Sequence, residues 1–172
     1  MTLHAITVLG HDRPGIIAET TGRLADLGVN LEDSSMTRLR GHFAMTLICA
    51  GEASHGTISA ALAPLAGDGT LTVTVHEVPL EGEVVDHGRP YVLTVHGADR
   101  PGIVSSVVRV VAAVGGNITD LTTRLAGGLY LLIAELDLPA EADVDAVEAE
   151  LRTVASDLGV GVTMREAEAD EL

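Results

Sequence analysis

The sequence predicts an α+β fold that is built twice, each time in the order β-α-β-β-α-β. The stretch "GHDRPGII" at positions 10–17 returns as "GADRPGIV" at 97–104, and both Asp12 to Asp99 and Asn30 to Asn117 span 87 residues. Each stretch separates an alternating apolar run, typical of a strand, from an apolar repeat of three to four residues, typical of a helix. A repeat near half of a 172-residue chain favours two small domains.

The first copy is assigned from the spacing of its apolar residues. A helix over Pro14–Leu27 is predicted by Ile17, Thr20, Leu24 and Leu27, and Gly28 ends it. A three-residue turn, Arg40-Gly41-His42, joins the two middle strands. The other predicted elements are the strands Leu3–Leu9, Asn30–Leu39, Phe43–Ala50 and Thr70–Val78 and the helix Ser54–Leu65, with Ile58, Leu62 and Leu65 inward.

The second copy repeats this order. Its first helix is predicted to bury Val104, Val107, Val111 and Val114. Its elements are the strands Tyr91–His96, Asn117–Leu125, Leu129–Leu136 and Gly159–Arg165 and the helices Pro101–Val114 and Val144–Leu158, with a turn at Ala126-Gly127-Gly128. The predicted domains are therefore residues 1–78 and 91–166, joined by a linker at 79–90 and followed by an acidic tail at 167–172.

The order of elements predicts a ferredoxin-like split β-α-β fold in each copy. Two helices can cover only one face of a four-stranded antiparallel sheet, so the other face and the open edges need cover. We expect the two copies to supply it to each other as a pair with pseudo-two-fold symmetry.

Composition excludes several classes of protein. The net charge of −15 opposes binding to nucleic acid. Seven scattered His and a single cysteine, Cys49, show no metal-ligand spacing and allow no disulfide, so we expect no metal, no cofactor and an inert thiol. The sequence shows neither a basic leader nor an apolar run of 18 residues, which predicts a cytoplasmic protein that does not enter the membrane.

The repeated Asp-Arg-Pro-Gly turn combines features of a ligand site with ordinary helix-start features. Pro suits a first helical turn, where Asp12 or Asp99 can act as a cap. Gly15 and Gly102 suggest either close approach of a ligand or close helix–strand packing. Free helix N–H groups attract a carboxylate and the Asp attracts an ammonium, which are the two ends of an amino acid.

The repeated asparagine is open to two interpretations as well. The side chains of Asn30 and Asn117 offer donors and an acceptor to a zwitterion, and each residue also suits a turn after glycine. Repetition by itself establishes only that the segment was duplicated.

The two segments "HDRPGIIAETTGRLADLGVNLEDSSMTRL" and "ADRPGIVSSVVRVVAAVGGNITDLTTRL" resemble the opening β-α-β of ACT domains. ACT domains are small amino-acid-sensing modules of amino-acid metabolism. The tandem arrangement most resembles the glycine cleavage system transcriptional repressor group. The resemblance implies that a ligand binds where two domains pair, between the loop after the first strand of one and the Asn-bearing start of the second strand of the other.

Carried over by position, the resemblance implies two sets of ligand-binding residues. They are His11, Asp12, Gly15 and Asn30 in the first copy and Ala98, Asp99, Gly102 and Asn117 in the second. The copies differ where His11 corresponds to Ala98, and "NLEDSSMTRL" counts one residue more than "NITDLTTRL". We therefore expect two unequal sites.

The sequence thus predicts a non-catalytic regulatory protein that senses a small amino acid and controls a protein partner in amino-acid metabolism or its transcription. The sequence also allows a homodimer. The main alternative is a ligand-free interaction module. Acylphosphatases share the order of elements, and Arg13 or Arg100 with Asn30 or Asn117 could mimic their site, but their Gly-rich loop is absent. RNA-recognition domains also share it, but they need aromatic residues on the sheet, where this chain is aliphatic.

Overall fold

A computed structural model describes residues 1–79 and 88–167 of the chain. The chain divides into two compact units, Met1–Gly82 and Glu83–Leu172, called domain one and domain two below. Most of the predicted linker and of the acidic tail, residues 80–87 and 168–172, lies outside the described residues.

Domain one is a four-stranded antiparallel sheet with two helices. Its elements are β1 (Thr2–His11), α1 (Ile16–Asp26), β2 (Asn30–Leu39), β3 (His42–Gly51), α2 (His55–Leu62), a 3₁₀ turn (Ala63–Ala66) and β4 (Leu71–Val78). The strands lie in the order β2-β3-β1-β4, so β1 is central and β2 and β4 are the edges. This is the predicted ferredoxin-like arrangement.

Domain two repeats the arrangement. Its elements are β5 (Arg89–Ala98), α3 (Ile103–Ala113), β6 (Asn117–Ala126), β7 (Leu129–Leu138), α4 (Val144–Leu158) and β8 (Val160–Glu166). The strands lie in the order β6-β7-β5-β8. The predicted α+β class and the tandem duplication are confirmed.

The cores are aliphatic, and in the first helix of each copy Thr20, Leu24, Val107 and Val111 are buried as predicted, but the buried row begins one residue earlier than predicted. In α1 the buried row is Ile16, Thr20 and Leu24, at a spacing of four, while Ile17 is 44% exposed. In α3, Ile103 begins the buried row and Val114 is 37% exposed. Both helices begin two residues later than predicted, because a glycine and not the proline precedes the first helical residue.

The hairpins correct the predicted difference in length between the copies. Both β2 and β6 contain ten residues, so the first copy has no extra residue. The turns hold two residues each, Arg40-Gly41 and Gly127-Gly128, and all four have positive φ, which is typical of a type I′ turn. Ala126, predicted in the turn, pairs with Leu129 as the last residue of β6.

The sheet face of domain one away from the helices combines small and large apolar residues with threonines. Its central strands present Ala5 and Thr7 on β1 beside Ile48 and Thr46 on β3. The helix-side residues of the same strands, such as Ile6 and Leu47, are fully buried. The pairing of the two copies through such surfaces stays a prediction.

Candidate ligand-binding site

The turn between β1 and α1 places its glycine at a position that requires glycine. Gly15 precedes the first residue of α1 with φ +91°, and Gly102 does the same for α3 with φ +96°. A Cβ built on Gly15 meets nothing within 4 Å. The backbone conformation therefore explains the glycine, and the predicted helix–strand packing at this residue is wrong.

The predicted helix cap is also wrong. The residue at the cap position is Gly15, three residues after Asp12, and no side chain caps the first turn of α1 or of α3. Asp12 instead faces Arg38 on β2, with its carboxylate oxygen 3.4 Å from the guanidinium. Its backbone N–H donates to the carbonyl of Gly41 at 3.2 Å. The first turn of each helix is thus left without a side-chain acceptor for its N–H groups.

An open groove of about 420 Å³ lies against this turn in domain one. Its polar part comes from the turn and its apolar part from α1 and from the helix-side face of the sheet. The lining residues are Asp12, Arg13, Gly15, Ile16, Ile17, Ala18, Met36 and Phe43. The groove offers a carboxylate and an uncapped helix start beside apolar side chains, which is a surface able to hold a small zwitterion.

The carboxylate of Glu19 forms ion pairs with two arginines, one of which, Arg13, lines the groove. Glu19 accepts from Arg13 at 3.2 Å and from Arg23 at 3.0 Å. These hydrogen bonds, first from Arg23 and then from Arg13, lower the pKa of Glu19 below its ordinary value. Arg13 is therefore engaged within the domain.

His11 does not line the groove. Its ring meets the ring of His42 edge to face, with centroids 5.7 Å apart, and its backbone N–H donates to Thr70 at 3.0 Å. As the last residue of β1 it follows Leu9 in the alternation that points away from the helices. The side chain of His11, which the resemblance implies as a ligand contact, is thus directed to the other side of the sheet from the groove.

Asn30 lies at the opposite end of the sheet from Asp12. It is exposed at the first position of β2 and pairs with Ala50, which in turn pairs with Leu3 near the start of β1. Asp12 follows the last residue of β1. Asn30 is level with Leu3, and an extended strand separates Leu3 from Asp12 by about 25–30 Å. Domain one alone therefore cannot bring the side chains of Asp12 and Asn30 to one small ligand.

Asn117 is separated from Asp99 in the same way. It pairs with Asp137, which pairs with Pro90 near the start of β5, whereas Asp99 follows the end of that strand. Each Asn-bearing strand also contains a bulge two residues after the asparagine, at Glu32 in β2 and at Thr119 in β6. The sequence analysis missed these bulges, although they occupy equivalent positions in the duplicated segments.

The corresponding turn in domain two has different surroundings. Asp99 forms no ion pair within residues 1–79 and 88–167. The guanidinium of Arg100 lies over Gly159, where a built Cβ would come within 3.6 Å of it. Gly159 ends α4, so this cation lies at the negative end of the helix dipole.

The separation of residues also weighs against the acylphosphatase-like alternative. Arg13 lies in the turn after β1, at the end of the sheet opposite Asn30, and it is held by Glu19. Arg100 and Asn117 are separated in the same way. Neither Arg13 with Asn30 nor Arg100 with Asn117 can therefore surround one phosphate-sized site within a single domain.

Other chemistry is limited in the described part of the chain. Cys49 is buried, and desolvation raises the pKa of its thiol to about 11, with Glu32 adding to the shift. Within the described ranges no cluster of three or more His, Cys, Asp or Glu residues is arranged to hold a metal ion. None of the described helices is long and apolar enough to span a membrane.

Sequence reasoning missed the residues that give the groove its apolar wall. Met36 on the edge strand β2 is 49% exposed and Ile17 on α1 is 44% exposed, although both are large and apolar. Met36 stands between polar neighbours in "DSSMTRL", which is the one signal in the sequence that could have drawn attention to it.

Comparison with known proteins places both domains in one family. The ACT domain model matches residues 3–76 and 89–165. A UPF0237 protein of Methanopyrus kandleri is 38% identical over 76 residues, which are 43% of this chain and 83% of the relative. The glycine cleavage system transcriptional repressor of Escherichia coli is 26% identical over 160 residues, covering 89% of this chain and 84% of the repressor.

A solved structure matches both halves at once. A protein of unknown function from Galdieria sulphuraria has a TM-score of 0.82 and 28% identity, covering 97% of this chain and 99% of that one. The family and the repressor relative together support a regulatory role for this chain.

Proposed function

Because the chain belongs to the ACT domain family, we propose that it is a regulatory protein that senses a small amino acid and passes the signal to a protein partner. The observation that carries the proposal is the groove at the β1–α1 turn, where the Asp12 carboxylate, an uncapped helix start and apolar side chains adjoin. The helix N–H groups would receive the ligand carboxylate, and Asp12 its ammonium. An incoming ammonium competes with Arg38 for Asp12.

The asparagine completes the site only if two domains contribute to it. Since Asp12 and Asn30 lie at opposite ends of the same sheet, the asparagine beside the groove must come from another domain. If the two domains of one chain pair, Asn117 would face the groove of domain one. If domain one pairs with domain one of a second chain, Asn30 would take that place.

A thermal-shift panel of the common amino acids tests the proposal. A ligand at about 100 times its Kd adds about 2.7 kcal/mol to the free energy of unfolding, because it binds the folded state alone. We expect at least one small amino acid to raise the melting temperature by a few degrees. If none does at millimolar concentration, the ligand-free interaction module becomes the better description.

Two matched variants locate the contributing asparagine. Asn30→Ala and Asn117→Ala each remove an exposed side chain at the start of an edge strand, so the melting temperature without ligand should hardly move. Loss of the ligand shift in Asn117→Ala alone indicates that domain two supplies the asparagine to the groove, and loss in Asn30→Ala alone indicates that domain one of a second chain supplies it. A shift that survives in both variants contradicts the two-domain site.

The repressor relative suggests where such a signal goes. That protein is named for transcriptional repression of the glycine cleavage system. This chain carries a net charge of −15, which opposes direct contact with DNA. We therefore propose that any effect on transcription passes through a protein partner.

A further inference from the structure

The helix layer of domain two contains a groove that the family's ligand site does not use. It runs between α3 and α4 and holds about 500 Å³. The residues that line it are Ser106, Arg109, Val110, Ala113, Val114, Ala146, Val147, Glu150 and Val154. Val114 is 37% exposed, and Val110 and Val154 are half-buried. The floor is therefore apolar and open to solvent.

Domain one fills the equivalent position with its own side chain. Arg23, which lies 87 residues before Val110, donates to the carbonyl of Ala61 on α2 at 3.2 Å. Glu19 holds the same guanidinium at 3.0 Å. Domain two has Ser106 and Val110 at these two positions, so within the described residues no side-chain hydrogen bond joins α3 to α4 there. The opening is thus a difference between two copies of one fold.

The shape of the groove fits one short helix. Its lining extends from Ser106 to Val114 on α3 and from Ala146 to Val154 on α4, which is a length of about 12 Å or two helical turns on each side. Ala113 and Ala146 on its rims allow the backbone of a third helix to approach closely. An amphipathic helix binds such a groove through apolar residues at i, i+3 or i+4, and i+7.

Charge indicates which kind of helix fits. The lining holds one residue of each charge, Arg109 on α3 and Glu150 on α4, and neither forms an ion pair within the described residues. Around them α4 also carries Asp145, Glu148 and Asp157 against the single cation Arg152, which pairs with Glu148, so the surface beyond the lining is acidic. The whole chain has a net charge of −15. A second copy of this chain would bring the same negative charge, whereas a helix with Lys or Arg beside its apolar stripe would be attracted.

We propose that the α3–α4 groove is a docking site for a basic amphipathic helix of a partner protein. The apolar stripe of that helix packs on the valines of the groove, and its cations face Glu150 and the acidic surface of α4. This surface is distinct from the amino-acid groove of domain one, and docking on it does not require an amino acid.

Binding of a synthetic helix to the full chain tests this. The probe is a fluorescent peptide of about 18 residues of Leu, Ala and Lys, long enough to form a helix, and anisotropy at an ionic strength of about 0.15 M measures its Kd. We expect saturable binding, with amide NMR shifts confined to residues 106–114 and 146–154. An equivalent peptide with Glu in place of Lys should not bind.

A pair of arginine variants separates filling of the groove from added charge. Val110→Arg introduces the residue that domain one has at this position and should weaken binding by about tenfold or more. Ala112→Arg adds the same charge to an exposed position of α3 outside the lining and should change the Kd by less than about threefold. Val114→Arg, at an exposed lining position, tests the same effect on the Kd if Val110→Arg is poorly folded.

Three results would overturn the proposal. Equal losses in Val110→Arg and Ala112→Arg would mean that the peptide senses charge alone. Absence of saturable binding would mean that the groove accepts no such helix. A dimer of the wild type that Val110→Arg converts to a monomer in sedimentation would assign the groove to a second copy of the chain.

Discussion

The turn after β1 and the turn after β5 have the same Asp-Arg-Pro-Gly sequence and nearly the same backbone, but their side chains are used differently. In domain one Asp12 pairs with Arg38 and Arg13 pairs with Glu19. In domain two the residues at the positions of Arg38 and Glu19 are Leu125 and Ser106. The backbone requirement has been retained in both copies, whereas the charged contacts belong to one.

The strand ends that lead into the two turns give the largest expected difference. A Cβ on Gly10 would lie 2.1 Å from the backbone oxygen of Thr70, while a Cβ on Gly97 would lie 2.8 Å from a methyl group of Val160. The shortest contact at Gly10 is with a backbone atom, which cannot rotate away, whereas at Gly97 it is with a side chain and the nearest backbone atom, the Cα of Val160, lies at 3.0 Å. Gly10→Ala should therefore lower the free energy of unfolding by about 3 kcal/mol or more and Gly97→Ala by about 1–2 kcal/mol.

Urea titration of the two variants measures this difference. The wild type titrated under the same conditions is the reference. Equal losses in the two variants would show that Val160 is held as firmly as the backbone of Thr70.

The two helix-start glycines should show no difference between the domains. Gly15 and Gly102 have φ values of +91° and +96° with open space around them. Gly15→Ala and Gly102→Ala should each cost about 1–2 kcal/mol of unfolding free energy, since only backbone strain opposes the new methyl group. A thermal melt that finds one variant much less stable than the other would show that something other than φ maintains that glycine.

The Glu19 network should make a pH-dependent contribution that the equivalent position of domain two, Ser106, cannot make. Because the folded-state pKa of Glu19 is lowered, its charged form stabilises the folded chain above the ordinary pKa of Glu, about 4.3, and this stabilisation is lost as the pH falls through the folded-state pKa. Glu19→Gln should thus melt below the wild type at neutral pH.

The difference in melting temperature between Glu19→Gln and the wild type should disappear in acid. Melting temperatures recorded in steps from pH 7 to about pH 3 follow it. Ser106→Ala, at the equivalent position of α3, is the control and should show a difference from the wild type that does not depend on pH. A Glu19→Gln gap that persists in acid would mean that the side chain acts through packing alone.

The smallest expected losses of stability concern the two aspartates. The pair between Asp12 and Arg38 is solvent-accessible, with Arg38 67% exposed, so Asp12→Asn should cost about 0–1 kcal/mol. Asp99 has no such pair in the described residues, and Asp99→Asn should be close to neutral. Calorimetry of both variants measures the difference, and a larger loss in Asp99→Asn would reverse the comparison.

Local patterns in the sequence allowed most elements to be predicted. The bounds of β2 at Asn30–Leu39 and of α4 at Val144–Leu158 agree with the prediction, because period and turn residues are properties of neighbouring residues. Only the first buried position of α1 was wrong, because Ile16 and Ile17 are adjacent apolar residues and only the packing of the helix on the sheet selects between them. The hairpin turns were placed one residue too long for a similar reason, since strand register fixes where pairing stops.

The candidate site could be predicted only in part. The sequence identified Asp12 and Gly15, both of which line the groove, because the duplication made the turn conspicuous. It could not show that His11 turns to His42 on the other side of the sheet, or that Met36 and Phe43 complete the groove from other strands. Those relations depend on which strands become neighbours.

By itself the sequence determined the duplication, the order of elements, the aliphatic cores and the family, because each of these depends on residue type and spacing along the chain. The tertiary structure alone decided that Asp12 and Asn30 stand at opposite ends of one sheet. It also decided that Arg23 bridges α1 to α2 in domain one, whereas Val110 at the equivalent position lines an open groove in domain two. The physical reason is that strand pairing and helix packing fix distances between residues far apart in the chain, and no local pattern encodes those distances.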